Sequence, residues 1–200
     1  MGTAERWTRL AAGLTERVEG VQPGGWDAAA PPEGWVARDV VRHLVEWMPG
    51  LFLGSAGLPV PDGPSVDEDP AGAWRALDRA VCTALSSPST ATLPTDTRAG
   101  RMTLEELVAM TGLFDLLVHT WDLARATGQD ERLPADEVHD ALVAMEPWDA
   151  ALRGSGQYGP RVPVPDDADE QTRLLAFTGR QPGPPTLTGA GPGSRAAGPT

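Results

Sequence analysis

"GLFDLLVHTWDLARATGQD", Gly112 to Asp130, sets a carboxylate, an imidazole and a second carboxylate into an otherwise apolar run. Successive residues of an α-helix turn by about 100°, so Asp115, His119 and Asp122 share a stripe roughly 60° wide, with Thr111 just upstream. Around that stripe stand Leu113, Phe114, Leu116, Leu117, Val118, Trp121 and Leu123, a girdle wide enough to be buried on most sides. The spacing admits two readings of the stripe. It is the wet side of an amphipathic helix, continued by Arg101 and Arg125, or it faces the inside of a bundle. Inside, an ionised carboxylate without a partner costs several kcal/mol, and a divalent ion would remove that cost. A carboxylate and an imidazole one turn apart can both reach one ion.

The rest of the chain reads as helices. Trp7, Leu10, Ala11, Leu14 and Val18 predict a helix over 3–19 with Thr3 as its N-cap. A second helix is expected over 36–53, a third over 71–86, and a long fourth over 103–127. Thr103 and Glu106 open the fourth as a capping box, and Gly128 closes it. A fifth helix follows Pro134 over 135–152, and a short one lies within "DDADEQTRLLAFTGR". The Pro- and Gly-rich segment 54–72 reads as an active-site cover or a plain crossover. The segment 87–101 reads as extended or irregular, and no alternating strand pattern of useful length is present. The fold class expected is all-α: a bundle of four principal helices with one or two short extra ones over residues 1–182. Residues 183–200 have almost no large apolar side chain and read as a disordered tail.

Composition narrows the partners. The chain of 200 residues carries a formal charge of −12, and all 16 basic residues are Arg. Such a chain is not built to neutralise phosphates or to lie on an anionic bilayer, so neither nucleic acid nor a membrane is an expected partner. The absence of Lys, with 20 Pro and 23 Gly, reads as GC-rich coding of the actinobacterial kind. The N-terminus lacks the apolar core of a signal peptide, and no run approaches the ~18 apolar residues of a membrane span. The single cysteine, Cys82, cannot form an intrachain disulfide and reads as a buried, inert thiol; the expected compartment is the cytoplasm.

A metal site needs a ligand from a second helix. Of the three histidines, His139 lies beside Asp136 and Asp140 near an exposed face and is disfavoured. His43 sits at the edge of the apolar face made by Val40, Val41, Leu44, Val45, Trp47 and Met48, from which it can turn into a cleft or remain a half-exposed, hydrogen-bonded side chain.

The segments "GWVARDVVRHLVEW" (34–47) and "LFDLLVHTWDLARATGQD" (113–130) resemble the two ligand-bearing helices of the DinB-like, mycothiol-dependent maleylpyruvate isomerase N-terminal family. The segment "RVPVPDDADEQTRLLAFTGRQP" (161–182) resembles the end of an actinobacterial subgroup described as metal-binding proteins. The resemblance implies a DinB-like four-helix bundle holding a divalent metal through His43, Asp115 and His119. Zinc is the family's common ion, and nickel, iron or manganese also suit this donor set. The family's acidic ligand is often Glu, where this chain has the shorter Asp115. Asp122 matches a recurrent acidic position that is not a ligand and is expected to support one from behind or to lie on the helix surface.

The family also implies chemistry. Its thiol-dependent isomerases and transferases hold the sulfur of mycothiol at the metal's open fourth position, where the ion lowers the pKa of the bound thiol. The expected function is therefore a thiol-dependent S-transferase or isomerase acting on a small electrophile or biosynthetic intermediate. A metal-bound water giving a hydrolase or lyase-like enzyme is the alternative, and a non-catalytic ligand-binding bundle a third. Arg38, Arg42 and Arg125 stand as surface charges or as partners for carboxylates of the thiol or substrate. Maleylpyruvate isomerisation itself is not expected, because the isomerase's second, C-terminal domain has no counterpart here. A homodimer through an exposed helix face is compatible with such bundles.

Overall fold

The computed structural model describes residues 1–97, 100–154 and 160–183. The helices are α1 (Thr3–Glu19), α2 (Ala37–Pro49), α3 (Pro70–Ser86), α4 (Pro88–Ala91), α5 (Leu104–Leu107), α6 (Leu113–Thr127), α7 (Ala135–Met145), α8 (Asp149–Gly154) and α9 (Glu170–Phe177). The strands β1 (Pro94–Thr97) and β2 (Gly100–Thr103) pair antiparallel between α4 and α5. The molecule is thus mostly helical with one small hairpin. Four long helices close a ring, with α1 against α3 and α6, and α2 against the same two.

The ring closes around apolar residues at helical spacing. Trp7, Leu14, Val40, Val41, Leu44, Met48, Trp74, Leu116 and Leu123 are completely buried. The indole N–H groups, which burial would otherwise leave unanswered, find acceptors: Trp7 donates to Asp78 Oδ1 at 3.0 Å and Trp74 to Thr15 Oγ1 at 2.8 Å. Asp78 also accepts from the Cys82 thiol at 3.4 Å. Burial and the Asp78 charge push that thiol up to about 11, so Cys82 is as inert as its sequence position implies.

The start of α1 and the segment before α5 depart from the sequence expectation. Thr3 is the first residue of α1, and the cap is Gly2, whose N–H donates to Glu5 Oε2 at 3.1 Å. The hairpin occupies a segment in which no strand pattern was legible, because four-residue strands give alternation too little length. It is fixed by Thr95, fully buried, which donates to the Met102 carbonyl at 2.9 Å. The capping box at Thr103 forms as read, with Thr103 N–H to Glu106 Oε2 at 2.7 Å, and Gly128 ends α6 with φ +69°. The fifth helix breaks at Pro147 into α7, a 3-10 turn and α8.

Two wide, π-type turns flank the ring's interior. Pro49 has no N–H to bond back along α2, and the chain continues through a π turn over Gly50–Gly54. A second π turn, Val108–Gly112, joins α5 to α6 and re-phases the helix just before Asp115. The two turns meet where Gly112 lies against Phe52 and Trp7. A Cβ on Gly112 would fall 2.9 Å from Phe52 Cζ and 3.1 Å from Trp7 Cζ3. The whole span Leu104–Thr127 is long and apolar enough to cross a membrane by length and composition, but 72% of its apolar window is buried inside the protein. Residues 184–200, most of the expected tail, lie outside the described residues.

A buried carboxylate ties α7 to α1. Glu137 accepts from Arg6 Nε at 3.0 and 3.1 Å and from Arg9 NH2 at 2.5 Å. Burial alone would raise this carboxyl, but hydrogen bonds and charge from the two guanidinium groups outweigh it and hold it below the ordinary glutamate range.

Two consequences are measurable by urea unfolding. Gly112→Ala lowers stability by about 1–3 kcal/mol, because both neighbouring rings are fully buried and cannot swing clear; a gain, as expected for an open helical site, would contradict the close approach. Glu137→Gln lowers stability at neutral pH by about 1–3 kcal/mol, since Arg6 and Arg9 are partly hydrated. Because the Glu137 pKa is lowered on folding, that stability is present above the unfolded carboxyl's pKa and is lost as pH falls through the folded value. The gap between wild type and Glu137→Gln closes in acid, and a gap constant with pH would refute the pairing.

Candidate metal centre

The polar stripe of α6 faces inward. His119 and Asp122 are buried, Asp115 is half-buried, and no residue of α6 is fully exposed. The question that spacing left open is decided by packing: α6 contacts α1, α2 and α7, so few directions around it remain wet.

His43 arrives from α2 as the sequence placed it, at the edge of the buried face. Its Nε2 lies 3.2 Å from Asp115 Oδ2, and its ring centroid lies 4.8 Å from that of His119. One ligand atom from each of His43, Asp115 and His119 falls within 4.8 Å of the others, a cluster able to hold a metal ion. The His43 and Asp115 side chains keep 35% and 23% of their exposure, so the cluster opens to solvent on their side and is closed behind His119.

The donor set itself fits a cation. Trp47 Nε1–H donates to His43 Nε2 at 3.1 Å, and Asp115 Oδ2 approaches the same nitrogen. If that nitrogen is bare, it accepts from Trp47 but meets the carboxylate lone pairs; if it is protonated, it suits Asp115 but opposes the indole N–H. Neither tautomer satisfies both neighbours, whereas a positive ion between the imidazole and the carboxylate suits both of those groups and would release the Trp47 N–H to another acceptor.

Behind the cluster, Asp122 accepts from His119 Nδ1 at 2.9 Å and is gripped by Arg180 through Nε at 3.1 Å and NH2 at 2.7 Å. Burial would raise the Asp122 carboxyl, but the His119 N–H and the Arg180 guanidinium outweigh it and keep it below the usual range. An ionised Asp122 makes Nδ1 the protonated nitrogen of His119 and leaves Nε2 bare for a ligand bond. Asp122 is therefore a buried support of His119, not a residue of the helix surface.

Two tryptophans frame the imidazoles. Trp35 lies almost parallel to the His119 ring, 13° and 6.0 Å between centroids, and is 5.3 Å from that of His43. It is delivered by the turn at Gly34, φ +78°, with Ala30 N–H donating to the Trp35 carbonyl at 2.9 Å. Trp47, four residues after His43, could be found from spacing alone. Trp35 and Arg180 have no such local signal, since each reaches the site only through the folded path of the chain.

The other residues singled out by sequence lie elsewhere. His139 pairs with Glu170 at 2.9 Å, joining α7 to α9 on the surface. Arg38 donates to the carbonyls of Val66 and Asp67, and Arg42 pairs with Asp67 at 2.6 Å, so both pin the 54–72 segment against α2. Arg125 pairs with Glu131 at 2.6 Å and donates to the Gly183 carbonyl at 2.7 Å. These guanidinium groups serve the fold. No family model, curated protein or solved structure matches this chain.

Proposed function

We propose that the protein is a divalent-metal-dependent enzyme of the DinB-like kind, with zinc as its ion, that activates a low-molecular-weight thiol against a small electrophile. The observation that carries this reading is the convergence of His43, Asp115 and His119 from two helices on one partly open point. Two imidazoles and a carboxylate are a donor set that zinc accepts, and nickel, iron and manganese remain compatible with it. Bound there, the ion would lower the pKa of a thiol ligand and present it as a nucleophile at neutral pH.

The chain's own residues prepare that site. Asp122 fixes the His119 tautomer, and Trp35 covers its ring. Asp115 supplies the negative charge that two neutral imidazoles lack. The exposed side of His43 and Asp115 leaves an approach for a small molecule, and Trp47 places an N–H donor at its edge. Mycothiol as the thiol, and the DinB-like likeness itself, rest on the resemblance of residues 34–47 and 113–130.

Elemental analysis of the purified protein, with His43→Ala, Asp115→Ala and His119→Ala alongside, tests the metal. About one divalent ion per chain is expected in the wild type and close to none in each variant. Full occupancy in Asp115→Ala would remove the carboxylate from the site, and an ion-free wild type that also fails to take up zinc would overturn the metal reading. Conjugation of mycothiol to a chloronitrobenzene tests the chemistry. Metal-dependent conjugation supports thiol activation; metal-dependent ester hydrolysis without any thiol dependence would replace it with activated water.

A further inference from the structure

The geometry points to Arg180, 61 residues beyond His119, as a positioning residue that sets the metal-binding face of His119 through Asp122. This inference rests on the metal site proposed above. It concerns the stretch that follows α9, a helix that packs mainly on α7 and would otherwise pass for a peripheral addition.

Three observations carry it. First, Asp122 has no exposure, so water cannot orient its carboxylate and only protein groups do so. Second, those groups share an oxygen: Oδ2 accepts from both His119 Nδ1–H and Arg180 NH2, while Oδ1 takes Arg180 Nε–H. The planar guanidinium fork therefore fixes the carboxylate plane that the imidazole N–H must meet. Third, Arg180 is itself held rigidly. Leu174, Leu175, Ala176 and Phe177 of α9 are buried, Gly179 turns the chain at φ +87°, and Arg180 N–H donates to the Leu175 carbonyl at 3.0 Å. The guanidinium is aimed by a packed helix end and not by a free side chain.

The consequence is a line of contact from the end of α9 to the bare Nε2 of His119. Without the fork, Asp122 is no longer held in the plane of the imidazole, both His119 tautomers are populated, and only one of them presents Nε2 to a cation. The residue touches no metal, and its effect passes entirely through Asp122.

The test compares Arg180→Ala, Arg180→Lys and Asp122→Asn, with Arg125→Ala as control. Arg125 holds the same stretch of chain through the Pro182 and Gly183 carbonyls but does not touch Asp122. Two readouts are taken on full-length protein: zinc affinity by competition with a chromophoric chelator, and the His119 tautomer by nitrogen NMR of the metal-free protein. Arg180→Ala is expected to weaken zinc binding about 10- to 100-fold and to convert a single Nδ1–H tautomer into a mixture. Arg180→Lys recovers part of both effects and covers the case in which Arg180→Ala does not fold. In an Asp122→Asn background, Arg180→Ala adds no further loss of affinity, and Arg125→Ala alone leaves both readouts unchanged. Unchanged zinc affinity and tautomer in Arg180→Ala and Arg180→Lys, or an equal loss in Arg125→Ala, overturns the inference. If the wild type binds no zinc, the metal reading fails by itself, and the tautomer comparison still decides whether Arg180 positions His119.

Discussion

Enclosure of α6 by α1, α2 and α7 dictates where every polar group on that helix finds its partner. A helix with Leu113, Leu116, Leu117, Val118, Trp121 and Leu123 buried around it has few directions left for polar groups. Each charged or titratable side chain on it is met by a partner inside the protein, since little water reaches the helix and an unanswered buried charge is costly. Asp122 is met by Arg180 and His119, and Arg125 by Glu131 and the Trp121 ring at 4.7 Å. Asp115 and His119 meet His43, and that cluster is the one able to hold a cation.

The same rule explains why the basic residues that matter are arginines. Asp122 and Glu137, the two deeply buried carboxylates, are both held by guanidinium forks that occupy their oxygens from fixed directions. A lysine would offer a point charge on a flexible stem and leave lone pairs unmet. Around the ring, Arg38 and Arg42 fasten the 54–72 segment and Arg125 fastens the chain at Pro182 and Gly183. Arginine in this acidic chain works as an internal fastener, and each of the three arginines considered for substrate binding is engaged in such a contact away from the candidate metal centre.

What could be read from the sequence followed the range of each interaction. Helix positions and the shared face of Asp115, His119 and Asp122 depend on spacing within one helix, and they were legible. So was His43, because its position relative to the apolar face of α2 is also local. Whether the stripe was wet or internal was not, since that depends on α1 and α2 packing around α6. The pairing of β1 with β2 was missed because the strands are too short to alternate visibly, and the burial of a polar residue such as Thr95 is not announced by its type. Arg180 was invisible for the same reason as Trp35: a contact across 58 residues leaves no mark in the local pattern. The π turns at Gly50–Gly54 and Val108–Gly112 were likewise hidden inside what read as continuous helices.

If His43, Asp115 and His119 bind one ion together, X-ray absorption at the zinc edge of the zinc-loaded protein will show two imidazole nitrogens at about 2.0–2.1 Å and a carboxylate oxygen at about 2.0–2.2 Å, with the remaining position open to a light exogenous ligand. Coordination by sulfur from Cys82, by a single imidazole, or by oxygen alone would contradict it.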